Sequence, residues 1–214
     1  MGLFGADAAA VLRDAGLGPA HVIGHSMGGR VAQELVLAEP ALVRSIVLAA
    51  SGAGTPHPIP YARVGIPLGV AVPMMTAGYE RFIRDKHRSS FFTAAFAAEH
   101  PDEVEWLDDA YLAGKPDVED YLKHVRARQA FSSVDRFGTI EAPVMIVVGA
   151  RDLHDGGTGS HLAQSRRLHE LLPSARFELI EGARHGFLWE DVDRSLALIA
   201  DFLRDVESRG LTPG

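Results

Sequence analysis

The chain has no cysteine among its 214 residues. This absence excludes a disulfide scaffold, a thiol nucleophile and a zinc-thiolate site, and it fits a reducing, cytoplasmic setting. Positive charge is not in surplus either. The 21 Lys and Arg stand against 28 Asp and Glu, for a net charge of −7. That balance argues against nucleic acid or a polybasic membrane anchor as partner, and for a soluble, mildly acidic surface. No segment approaches the ~18 consecutive apolar residues of a membrane span. The opening stretch, MGLFGADAAAVLRDAGLGPA, has no basic start and no apolar run of signal-peptide length. It begins Met-Gly, but Ala6 stands where a myristoylation pattern wants Ser or Thr. There is no internal repeat and no low-complexity tract. The expectation is a soluble cytoplasmic protein with one sizeable core, or a core and a small accessory lobe.

What the sequence does have is alternation of helix and strand patterns, the signature of a parallel sheet with crossover helices. Residues 8–15 read as a helix with Val11 and Leu12 on its buried side, stopped by Gly16, Gly18 and Pro19. HVIG is a short buried strand. MGGRVAQELVLAEP has helical spacing through Val31, Leu35 and Ala38 and ends before Pro40. Further strands are expected at 43–51, 143–150 and 175–183. The third is almost wholly apolar and β-branched, as a strand covered on both faces should be. The last alternates more and so belongs nearer an edge. HLAQSRRLHELL reads as a helix between those two, and a long amphipathic helix from about Glu190 to Val206 follows. Residues 53–137 interrupt the rhythm. They open on a Pro- and Gly-rich stretch and continue with helical patterns carrying Phe82, Phe91, Phe92, Phe96, Trp106, Tyr111 and Tyr121. The domain reading is a core of 1–52 and 138–214 with a helical insertion at 53–137, whose aromatics form its own core and, in part, line a pocket.

The stretch HVIGHSMGG, residues 21–29, carries the chemistry. A serine hydroxyl is a weak nucleophile; it needs a base and a position clear of neighbouring side chains. A sharp strand-to-helix turn supplies the position, and Gly24 and Gly28 are expected to supply the room for it. The turn also aims a helix N-terminus at the reaction centre, so that the Met27 N–H can donate to a developing oxyanion. Gly24-His25-Ser26-Met27-Gly28 is thus a G-x-S-x-G nucleophile elbow, made specific by the strand before it and the helix after it. The base and its orienting acid should follow at the ends of later strands. GARD places Asp152 just beyond the third strand, and GARHGF places His185 just beyond the fourth. Both then fall at the sheet edge where open α/β sheets bind ligands, in the chain order Ser, Asp, His.

With GHSMGG, PVMIVVGARD and GARHGF the sequence resembles the α/β-hydrolase superfamily, closest to its small bacterial esterase, enol-lactonase and cofactor-free haloperoxidase-like branch. The likeness runs from residue 5 to 206. It implies an α/β-hydrolase fold with flanking helices, an inserted helical cap between the family's sixth and seventh strands, and no cofactor. The family's sheet has eight strands with the elbow after the fifth, so only the last four have counterparts here. The loop after the family's third strand, which normally gives a second oxyanion donor, has none. The reading favours a truncated form of a longer protein over a minimal variant, because HVIG would otherwise lie at an exposed sheet edge. Homodimerisation through that bared edge is one rescue.

Other readings of the same residues remain open at this point. Ser26 can serve as an ordinary helix N-cap. Asp155 is the alternative acid to Asp152, and His25 is expected to be a packing or hydrogen-bonding neighbour of the elbow. Asp152, His154, Asp155 and His161 cluster in sequence, but their spacing matches no established metal pattern, and no metal is expected. The basic run RFIRDKHR, 81–88, reads as a solvated helix face. The reaction expected is hydrolysis of an ester or lactone of a small to medium apolar substrate through an acyl-enzyme. Alternatives are perhydrolysis, carbon–carbon bond hydrolysis or thioester hydrolysis on the same triad, and a catalytically impaired fragment that binds or dimerises.

Overall fold

The protein is described from a computed structural model covering residues 1–55, 68–153 and 159–210. Four strands, β1 (Ala20–His25), β2 (Val43–Ala49), β3 (Val144–Gly149) and β4 (Arg176–Ile180), form one parallel sheet in the order β1-β2-β3-β4. Successive strands add on one side because each crossover carries a helix back to the start of the next strand. α2 (Met27–Ala38) makes the first crossover and α8 (His161–Leu171) the last. All four strands therefore point their carboxyl ends the same way, and the loops beyond those ends share one rim.

Strand periodicity sorts the core into two layers. Ile46, Leu48, Val144 and Ile146 pack with Leu35, Val36 and Leu168, beneath α1 (Gly2–Asp14), α2 and α8. The intervening residues, Val47, Ala49, Met145 and Val147, pack with Phe187, Ile199 and Phe202 of α9 (Phe187–Glu190) and α10 (Val192–Gly210). β2 and β3 are covered on both faces, which is why their sequences run apolar without alternation. β4 lies at one edge of the described sheet, as its alternation predicts, and β1 lies at the other.

Two helix faces differ from the sequence expectation. In α1 it is Gly5 and Ala9 that are buried, while Val11 is 67% exposed. The reason is close packing. A Cβ on Gly5 would stand 2.9 Å from the Glu34 Cβ and 3.1 Å from the Leu35 nitrogen, so only small residues fit where α1 crosses α2. In α2 the buried stripe is Ala32, Gln33, Leu35 and Val36, and Ala38 faces solvent.

Between β2 and β3, among the described residues, lie five α-helices: α3 (Leu68–Ala77), α4 (Tyr79–Lys86), α5 (Ala94–Glu99), α6 (Pro101–Ala113) and α7 (Val118–Gln129), with a π-turn at His87–Phe91. They have cores of their own. Phe91, Phe92 and Phe96 pack with Val104 and Leu107, and Met74, Met75, Tyr79 and Ile83 form a second group. Trp106 joins neither and is 66% exposed. The basic run is not simply a solvated face. His87 is fully buried, and its Nδ1 lies 2.6 Å from Oδ1 of the equally buried Asp108, whose Oδ2 accepts from Arg88 at 2.6 Å and from Arg84 at 3.4 Å. A carboxylate removed from water needs such partners, and the run supplies them.

The helical segment is fastened to the loop after β4. The Gly186 N–H donates to the Phe91 carbonyl at 2.8 Å, Arg184 donates to the Phe92 carbonyl at 3.2 Å, and Thr93 hydrogen-bonds Glu190. A Cβ on Gly186 would meet the Phe91 ring at 2.7 Å. His185 sits within this clamp, which fixes its backbone.

Candidate active site

Ser26 occupies the junction of β1 and α2 with φ 54° and ψ −115°. A non-glycine residue at positive φ is strained, and such strain persists only where surrounding structure enforces it. Here the Ser26 N–H is held by the Ala49 carbonyl at 2.8 Å. The room that the turn requires is found at Gly24. A Cβ there would lie 2.5 Å from the Gly28 carbonyl oxygen and 2.6 Å from the Gly29 Cα. At Gly28 a Cβ would meet nothing within 4 Å, contrary to the symmetric expectation. The second tight position is Gly29, where a Cβ would stand 2.5 Å from the Ser51 side chain. The strand and helix pinch together on one side only, so the glycine requirement falls on the residues that face the pinch. Met27 begins α2, and its N–H belongs to the first turn, which has no intrahelical carbonyl to pair with.

Asp152 lies in the loop after β3, with 1% of its surface exposed, and each carboxylate oxygen takes one histidine. His185 Nδ1 is 2.6 Å from Oδ2, a short charge-assisted contact, and His161 Nδ1 is 3.1 Å from Oδ1. Burial by itself would raise the Asp152 carboxyl, but the hydrogen bonds from His161 and His185 hold it down at about 2. The two partners of the short contact shift the same way. Burial lowers the His185 imidazole below its ordinary range, and Asp152 only partly offsets this, because imidazolium in this enclosed position loses more hydration than one carboxylate returns. The resting pair is therefore a carboxylate beside a neutral imidazole whose Nδ1 carries the proton.

His25 joins the elbow to this pair. Its Nε2 donates to the His185 carbonyl at 3.0 Å, and the two rings lie 4.7 Å apart. Burial first, then the proximity of His185, push His25 down to about 4, so it is a neutral neighbour. Phe91 stands 5.5 Å from the His185 ring and Trp189 5.8 Å from that of His25, giving this side of the site an aromatic wall. Among the described residues the Ser26 hydroxyl makes no hydrogen bond. It opens on a cavity of about 30 Å³ whose wall also includes Met27, Arg30, Ala50, Ser51, Arg128 and His161.

Sequence reasoning put His161 in a cluster with Asp152, as the structure does, but gave it no hydrogen-bonding role. It had been grouped with Asp152, His154 and Asp155 by spacing; His154 and Asp155, the alternative acid, lie outside the described residues. Asp152, His161 and His185 do bring potential metal donors within 4.8 Å of one another. In this arrangement, however, both histidines turn Nδ1 to the carboxylate as hydrogen-bonding partners, which is the geometry of a shared orienting acid. Ala50 was also missed. It follows β2 at φ 47°, a second strained residue on the same cavity.

The model of the alpha/beta hydrolase family matches residues 3–201, and the chain belongs to that family. Among curated proteins it is 27% identical over 203 residues to the 2-hydroxy-6-oxononadienedioate/2-hydroxy-6-oxononatrienedioate hydrolase 1 of Dechloromonas aromatica, covering 88% of this chain and 63% of that protein. It thus spans less than two thirds of that relative's length. Among solved structures it is similar to the enol-lactonase of Burkholderia xenovorans, with TM-score 0.76, 23% identity and coverage of 94% of this chain and 71% of the other. A thermophilic esterase of Thermogutta terrifontis superposes equally well, with TM-score 0.76, 21% identity and coverage of 94% and 71%. These two likenesses show the fold. No helix among the described residues is long and apolar enough to cross a membrane.

Proposed function

We propose that the protein is a serine hydrolase that cleaves an ester or lactone through Ser26, His185 and Asp152. The observation that carries this reading is the 2.6 Å contact between His185 and Asp152. It lies on the rim that also holds the strained Ser26 turn. In the proposed reaction His185 Nε2 takes the Ser26 proton as the hydroxyl attacks the carbonyl. The Met27 N–H donates to the resulting oxyanion, and Asp152 holds the tautomer and stabilises the imidazolium. His185 then returns the proton to the leaving oxygen. The acyl-enzyme is opened by a water that the same histidine deprotonates, so the chemistry calls on no cofactor. Residues 53–137 act as a cap on a core formed by 1–52 and 138–214. The cap's Phe91, with Trp189, receives the apolar part of a small to medium substrate.

The test is intact-mass analysis after exposure to a fluorophosphonate. A single adduct on the parent chain and none on Ser26→Ala is the expected result. No adduct on a chain that circular dichroism shows to be folded would favour a second reading, in which the chain binds or dimerises without catalysis. The free Ser26 hydroxyl is the observation on that side. Unliganded sites often form the serine–histidine bond only with substrate present, which keeps the hydrolase reading ahead.

A further inference from the structure

The cavity beside Ser26 has an unusual wall for a site expected to take apolar acyl groups. Arg30 is 7% exposed, yet its guanidinium makes one side-chain hydrogen bond, from Nη2 to Gln164 Oε1 at 3.0 Å, and lies 5.7 Å from the centre of the Phe131 ring. Among the described residues no carboxylate pairs with it. Arg128, on α7, reaches the same cavity and likewise has no carboxylate partner among them. Ser51 is 1% exposed, and its Oγ has no hydrogen-bond partner among the described residues. Lys86, outside the cavity wall, is part-buried, lies 5.7 Å from the centre of the Tyr111 ring and pairs with no carboxylate among the described residues. Burial, with Arg128 nearby, lowers Arg30 to about 10, and the same two causes lower Lys86. A chain of net charge −7 thus has Arg30 and Arg128 at the cavity of its candidate nucleophile, with no carboxylate pairing either of them among the described residues.

Buried charge without a counter-charge is strongly disfavoured, and buried hydroxyls normally find partners. A site that breaks both rules at one cavity is prepared for a ligand that satisfies both. We propose that Arg30, Ser51 and Arg128 form a carboxylate subsite, and that the substrate is an ester or lactone bearing a carboxylate within reach of the bond that Ser26 attacks. A cavity of about 30 Å³ accepts a group of that size. A carboxylate matches guanidinium donors and takes a hydroxyl hydrogen bond on a remaining lone pair. Gln164 holds the guanidinium from behind, itself anchored through Nε2 to the Gly159 carbonyl at 2.7 Å, so the donors are positioned before substrate arrives.

This inference rests on Ser26 being the nucleophile, and the experiment separates the two claims. Two fluorophosphonates of equal length, one ending in a carboxylate and the other in its methyl ester, are reacted with the full chain, and adduct formation is followed by intact mass. The carboxylate probe is expected to label at least ten times faster at low salt. That ratio falls to within about twofold in Arg128→Gln, whose part-exposed position leaves the fold intact, and several-fold in Ser51→Ala. Labelling by the methyl ester probe at an equal or higher rate, or a carboxylate preference undiminished in Arg128→Gln, overturns the subsite and leaves the nucleophile standing. Labelling by neither probe overturns the nucleophile and the subsite with it.

Discussion

Gly24 and Gly28 are both glycines of the elbow motif, but the structure gives them unequal weight, and this inequality can be measured. A Cβ on Gly24 would lie 2.5 Å from the Gly28 carbonyl oxygen, 2.6 Å from its carbonyl carbon and 2.6 Å from the Gly29 Cα. All three are backbone atoms, so no side chain can swing away. β1 and α2 would have to separate by several tenths of an ångström, disturbing the strained Ser26 turn between them. Overpacking against atoms that cannot yield belongs at the upper end of its range, about 3 kcal/mol for Gly24→Ala. For a chain of this length that corresponds to a fall in Tm of roughly 6–12 °C. Gly28→Ala meets open space inside the first turn of α2 and should be neutral or stabilising by up to about 1 kcal/mol, because alanine is the better helix former. Urea unfolding of the two variants beside the parent, with fluorophosphonate labelling as a readout of the turn, makes the comparison. Equal destabilisation by the two substitutions, or a Gly24→Ala chain as stable as the parent, would show that the pinch is not where the structure puts it.

Four further outcomes follow from the same geometry. Asp152→Asn keeps the shape but lets the amide donate to Nδ1, fixing the wrong tautomer of His185, so the fluorophosphonate labelling rate should fall about 10⁴-fold; a fall of less than tenfold would remove Asp152 from the orienting role. Because His185 is depressed by burial, it stays neutral below its ordinary range, and labelling rate against pH should reach half its maximum below pH 6.5; a midpoint above 7 contradicts the assignment. His161→Ala removes one of two hydrogen bonds to a charged carboxylate, worth about 1.5–3 kcal/mol, and should lower denaturant stability by that order while Ser26 still labels. His25 is depressed from 6.5 to about 4, so the folded chain binds fewer protons than the unfolded chain between those values. Its contribution is fully present above pH 6.5 and is lost as the pH falls towards 4, on the order of 3 kcal/mol. Urea titrations at pH 7 and pH 4.5 should show a loss in the parent that is smaller by that order in His25→Gln, where the likewise depressed His185 still contributes.

Much of this architecture was legible in the sequence because its physical causes are local. The apolar runs of β2 and β3 announce strands covered on both faces, and the glycines around Ser26 announce a tight strand-to-helix turn. Asp152 and His185 each follow a strand directly, so parallel topology brings them to one rim, and the 2.6 Å contact needs no further information than that. What could not be read depends on distances between segments far apart in the chain. Val11 looked buried because it is apolar, yet the approach of α1 to α2 is set by Gly5, and only the helix pair reveals which face that approach selects. His161 looked like one member of a histidine–aspartate run, and nothing local says that it reaches back to the free oxygen of Asp152.

The residues around the cavity show the same limit in its strongest form. Arg30 lies in the first turn of α2, Ser51 two residues beyond β2, and Arg128 in the last turn of α7, about a hundred residues from Ser26. None carries a motif. Their meaning comes from what they lack once assembled: Arg30, Ser51 and Arg128 border one cavity, and no carboxylate among the described residues pairs with either guanidinium. An apolar substrate would leave that deficit in place and add the cost of removing the remaining water from the cations. An acid-bearing substrate would remove it at the moment of binding, and would spend the binding energy next to the carbonyl that the proposed nucleophile would attack, where orientation of the reacting bond accelerates the chemistry most. Charge at this cavity is therefore better explained as substrate selection than as support of the fold, since a fold under no such demand is more stable with apolar residues there.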